Sequence, residues 1–126
     1  MQNNNPKAKT DLKKRAYIYA LDIIKFIDDL DKKDFTVQII SKQLLRSATS
    51  IGANIIEAQA GSTKKDFTNF FTYALKSANE SKFWLGLLRD SEKADKNKAN
   101  MLLQETTELA NILAASVLTL KGKKKL

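Results

Sequence analysis

"SIGANIIEAQAGSTKKDFTNFF", residues 50 to 71, runs from an almost uncharged apolar stretch through one glycine into an aromatic segment. Ile51, Ile55 and Ala58 recur at steps of four and three, the spacing of one helix face. Gly61 suits a left-handed residue after a helix, and "TKKD" at 63 to 66 resembles a capping box with aspartate in place of glutamate. Phe67 and Phe71 then repeat at helical spacing. The stretch therefore predicts two long helices joined by a tight turn, which must lie side by side and antiparallel.

The same pattern extends outward. A first helix is predicted over about Thr10 to Leu30, with Tyr17, Ala20, Leu21, Ile24 and Ile27 as its core stripe, and "DDLDKKD" closes it. Thr36 is placed to cap the second helix, with Phe35 and Ile40 as a hydrophobic staple. Its core stripe is Val37, Ile40, Leu44, Ile51, Ile55 and Ala58, reaching Ala60. The third helix carries Phe67, Phe71, Ala74, Ala78, Leu85 and Leu88 as far as "DSEKADKNK", where Asp95 can cap the last. The fourth presents Leu102, Leu109, Leu113, Val117 and Leu120. Four helices with short connections predict an all-α, antiparallel up-down-up-down four-helix bundle over residues 10–120. Residues 1–9 are expected to form a flexible basic segment and residues 121–126 a basic tail.

Composition agrees with one all-α domain: the chain has 126 residues, 43% of them hydrophobic, with four glycines and the single proline Pro6. It contains no cysteine and no histidine, which removes disulfides, thiolate chemistry, most zinc sites and histidine acid–base catalysis. A di-iron bundle needs Glu-x-x-His pairs, and "AGSTKKD" lacks the first glycine and the Gly-Lys-Ser/Thr ending of a phosphate loop. The reading is of a non-enzyme with no cofactor and no metal. The start lacks the apolar core of a signal peptide and no apolar run reaches membrane-spanning length, so a cytoplasmic protein is expected. A membrane-surface role lacks an amphipathic helix with free aromatic anchors beside the lysines.

Charge is segregated. Lys7, Lys9, Lys13, Lys14 and Arg15 against Asp11 make the first fifteen residues +4, and Lys121, Lys123, Lys124 and Lys125 add +4 at the other terminus. These account for the whole net charge of +8, so the body between them is neutral. A polyanion such as RNA or DNA would be met by the ends, although lysine-rich ends also simply keep a small protein soluble.

Two helices have apolar surface beyond their core stripes. On the second, Leu45, Thr49, Gly52, Ala53, Ile56 and Ala60 flank the core; on the first, Tyr19, Ile23, Phe26 and Leu30 lie opposite the stripe assigned above. A monomer would leave both wet, and extended apolar surface marks an interface. Self-association through the first two helices follows. A polar line of Arg46, Ser50, Asn54 and Glu57 is a solvated face in a monomer; covered by a subunit, Arg46 and Glu57 become a register-fixing pair.

"LLRSATSIGANIIEAQAGSTKKDF" followed by "FFTYALKSANESKFWLGLL" resembles the four-helix bundle family that includes the intervening-sequence proteins of bacterial large-subunit (23S) ribosomal RNA genes. Arg46, Ser47, Ser50, Ile51, Asn54, Ile55, Glu57, Ala58, Phe67 and Phe71 occupy the motif, Glu80 and Trp84 fit its later part, and the match covers roughly residues 12–120. The resemblance implies an antiparallel bundle, and it alone implies a homopentamer. A related branch, the accessory variability determinants of diversity-generating retroelements, implies a basic pentamer that binds nucleic acid and a reverse transcriptase. Gly86 departs from that branch, where a basic residue is common.

Two functions follow: an oligomeric bundle binding RNA or DNA through its basic termini, or a scaffold that holds a partner protein and has no nucleic-acid role. Tyr17, Tyr19, Tyr73 and Trp84 could be read as base-stacking residues, but at helical spacing they are better read as packing.

Overall fold

The computed structural model describes residues 11–61 and 63–122. They form four helices, α1 (Leu12–Asp28), α2 (Phe35–Ala60), α3 (Lys64–Asp90) and α4 (Lys96–Gly122). Each packs against its neighbours in the chain, and α1 also meets α4, which closes an antiparallel four-helix bundle. The chain folds as an all-α bundle, as its periodicity requires. The α2–α3 and α3–α4 seams are the most extensive, and α1 is the most lightly held helix.

The ends of the helices follow their local chemistry. Asp11 caps α1, its carboxylate accepting from the Lys13 N–H at 3.1 Å. Asp34, not Thr36, caps α2 by accepting from the Val37 N–H at 3.0 Å. Phe35 is thereby the first helical residue and 74% exposed, so it does not serve as the staple. Thr63 caps α3 and Asp95 caps α4, as their sequences predict. Gly61 has φ −69° and ψ 155°, an extended conformation in place of the expected left-handed one.

The left-handed position lies instead at Glu92, with φ 62°. There the Lys93 N–H bonds the Leu88 carbonyl and the Glu92 N–H bonds the Arg89 carbonyl, both at 3.0 Å. This is a Schellman ending of α3 built without glycine.

The core is made of the stripes expected for α2, α3 and α4. Leu44, Ile51, Ile55, Ala74, Ala78, Leu85, Leu88, Leu109 and Leu113 are fully buried, and Phe71 nearly so. Serines and alanines bring α2 and α3 close, with Ser47 Oγ and Ser81 Oγ 2.8 Å apart across the seam.

The first helix is turned the other way. Ala16, Tyr19, Ile23, Phe26 and Leu30 are buried, whereas Tyr17, Leu21 and Ile24 are exposed. Tyr19, Ile23, Phe26 and Leu30 therefore belong to the core of one protomer and not to an outer interface face. Lys13 explains the choice: it stands in line with Tyr17, Ala20 and Ile24 at steps of four, three and four, so burying that stripe would bury an ammonium. The opposite stripe has Arg15 at its edge, and Arg15 finds partners. Its Nε lies 2.8 Å from Glu105 Oε2 and its Nη2 3.1 Å from Glu105 Oε1, with Glu108 bonded to the same nitrogen. Ala16 also lets α1 approach α2, its Cβ 3.5 Å from where a Cβ on Gly52 would lie.

Candidate functional site

Inverting α1 moves the spare apolar surface without removing it. Tyr17, Leu21 and Ile24 on α1 now face Thr49, Ala53 and Ile56 on α2 across an open groove of about 660 Å³, with Gly52 and Ala16 in its lining. Tyr17 is 64% exposed and Ile56 49% exposed, so this surface is wet in a single protomer. Leu45, also exposed, extends the α2 side by one turn. The groove thus unites the α2 residues expected at an interface with the α1 residues expected in the core. Lys13 and Lys14 stand at one margin of it.

A polar seam runs along α2 and α3. Ser77 Oγ donates to Ser50 Oγ at 3.0 Å, and Asn54 Nδ2 donates to both the carbonyl and the hydroxyl of Ser50 at 2.9 Å. Trp84 Nε1 donates to Glu80 at 3.0 Å. Arg46 bonds Gln43 Oε1 at 3.2 Å, and Glu57 is exposed. Within one protomer Arg46 and Glu57 form no pair with each other. The seam is held by its own hydrogen bonds, which is the structural role those residue types perform at a helix contact.

The basic residues divide into three groups. Lys13, Lys14 and Lys121 are exposed. Arg15 is buried against α4, so this member of the expected phosphate-binding set is a structural ion pair. Its two carboxylate partners hold its guanidinium even more firmly charged than usual. Lys7, Lys9, Lys123, Lys124 and Lys125 lie outside the described residues, as do the N-terminal segment 1–9 and the tail beyond Gly122.

An up-down-up-down bundle returns its last helix to the end where the first begins, which would place the basic residues of the two termini together, but the described ones are set apart. Lys98 reaches Asp29 at 3.3 Å, so the close of α1 is level with the start of α4. With 17 residues against 27, α1 then falls short of the far end of α4. Arg15 sits beside Glu108, about 20 Å along α4 from Lys121 at 1.5 Å per residue.

Among the described residues no group of three or more histidines, cysteines or carboxylates could hold a metal ion. No described helix is long and apolar enough to cross a membrane.

Comparison with known proteins gives a consistent picture. The model of the family described as 23S rRNA-intervening sequence protein matches residues 8–115. A crystal structure of a protein of unknown function from the S23 ribosomal protein family of Bacteroides thetaiotaomicron is similar over 85% of this chain and 98% of its own. The two share 35% identity with a TM-score of 0.78. No curated protein matches.

Proposed function

This chain belongs to the 23S rRNA-intervening sequence protein family, and on that premise we propose that it is a non-enzymatic, homo-oligomeric bundle that binds RNA or DNA electrostatically through its basic ends. The observation that carries the reading is the segregation of charge: a neutral body between termini that hold the whole +8. Lysines that neutralise phosphates release condensed counterions, so affinity obtained this way is largely independent of sequence and falls steeply with salt. The resemblance to the accessory variability determinants supports the same reading.

Self-association is supported by the α1/α2 groove, and the resemblance alone supplies the number five. Protomers arranged in parallel about one axis would bring each basic terminus level with its counterparts in the other protomers and sum their fields.

A titration of structured RNA and of duplex DNA at increasing salt tests the binding. A linear fall of log affinity with log salt supports it, and no binding at low salt refutes it. Removing residues 121–126 should weaken binding and flatten the salt dependence while leaving the melting temperature unchanged. Light scattering tests the assembly, since a mass near 14.2 kDa at micromolar concentration overturns it. The groove also favours a second reading, a scaffold that docks a partner protein, which gains if the chain is monomeric and binds no nucleic acid.

A further inference from the structure

We propose that the end of the bundle where α3 begins and α4 finishes is a contact for the phosphate backbone of a nucleic acid, with Lys64, Lys65 and Lys121 as its cations. This rests on the nucleic-acid reading above and gives it a place in the fold. The three lysines converge from two helices on an open surface pocket of about 310 Å³, completed by Thr68, Asn69 and Leu120. No carboxylate among the described residues lines it.

None of the three ammonium groups has an ion-pair partner among the described residues. At the opposite end of the bundle three cations are paired, Lys93 with Asp34 at 2.7 Å, Lys98 with Asp29 at 3.3 Å and Arg89 with Asp90 at 2.8 Å, while Lys33 and Lys96 stand exposed. The two ends differ in that the lysines at the opposite end stand among carboxylates, Asp29, Asp31, Glu92 and Asp95 lining one surface there, whereas Lys64, Lys65 and Lys121 do not.

Lys64 and Lys65 also occupy the first turn of a 27-residue helix, where the helix dipole disfavours cations, and Asp66 is the one acidic residue in that turn. An anion held by these lysines interacts favourably with them and with the positive pole of α3 together. The pocket is shallow, and its cations are long, mobile side chains. That suits a row of phosphates met by point charges better than a single small anion, which needs a fixed cradle.

Fluorescence anisotropy with a single-stranded RNA oligonucleotide, using the full chain across a salt series, tests the assignment. K64Q/K65Q should bind several-fold more weakly at low salt, with the log–log salt slope shallower by about 1.4, the loss of two phosphate contacts on a single strand. Its thermal melt should equal or exceed that of the unsubstituted protein. K33Q/K96Q, which removes two exposed lysines at the other end, should leave affinity and slope nearly unchanged. Equal losses in both variants would show that only net charge matters and overturn the site. An unaffected K64Q/K65Q, with the unsubstituted protein still binding, would overturn the site and leave the nucleic-acid reading standing. Binding of polyglutamate but of no nucleic acid would overturn both and assign this end to an acidic protein.

Discussion

Tyr19 carries its hydroxyl into the bundle, 1% exposed, where it lies 2.6 Å from Thr106 Oγ1. Thr106 in turn donates to the Leu102 carbonyl at 2.6 Å, so α1 is tied to the interior of α4 by a buried polar chain. Burial pushes the Tyr19 phenol from its ordinary 10.0 up to about 12. The folded chain therefore holds this proton more tightly than the unfolded chain. The stability this contributes is complete below pH 10 and is lost as pH rises through about 12. Melts between pH 9 and 12 should show that alkaline loss, and Tyr19→Phe should flatten it while costing about 1 kcal/mol at neutral pH. Arg15 makes the neighbouring tie. Arg15→Ala should cost about 1 to 3 kcal/mol by denaturant unfolding, because it strips charged hydrogen bonds from Glu105 and Glu108. It should leave the salt slope of nucleic-acid binding unchanged, since a guanidinium already paired with two carboxylates releases no counterions to a phosphate.

The helices themselves are held by local chemistry of unequal quality. Asp11, Thr63 and Asp95 each satisfy a first-turn N–H, and Asp34 does so while also bonding Lys93. That second bond, together with the backbone donor, holds the Asp34 carboxyl below its ordinary range. The close of α3 is less well matched to its residue, because Glu92 adopts a left-handed conformation that glycine accepts without steric cost. Glu92→Gly should therefore raise stability by about 1 kcal/mol, a gain of several degrees in the melt. Gly86 offers the converse case. It lies inside α3 with nothing within 4 Å of an added Cβ, so Gly86→Ala should add about 1 kcal/mol from helix propensity. A fall in melting temperature in either variant would mean that these backbone positions are under a tertiary constraint.

At the scale of the whole molecule, the groove between α1 and α2 and the lysines at one end are the features that a stable bundle alone does not require. Leu21→Glu and Ile56→Glu place carboxylates at half-exposed positions on its two walls. The dilute protomer should melt within about 0.5 kcal/mol of the parent stability, while the mass by light scattering falls to 14.2 kDa; an unchanged oligomer would place the interface elsewhere. The sequence by itself determined the number of helices, their order, the three long core stripes and the caps Thr63 and Asp95. Each depends on residues within one or two turns of each other, where spacing and side-chain chemistry suffice. Only the tertiary structure decided which face of α1 is core. Tyr17, Leu21 and Ile24 are as apolar as Tyr19, Ile23 and Phe26, and the deciding contacts, Arg15 with Glu105 and Tyr19 with Thr106, span about ninety residues of chain. Lys13, one turn before Tyr17 in line with the rejected stripe, was the one local sign of the answer. The grouping of Lys64 and Lys65 with Lys121 likewise depends on an antiparallel return that brings the close of α4 beside the start of α3. Periodicity reports that a helix has a second face, but which surface covers it depends on groups distant in sequence.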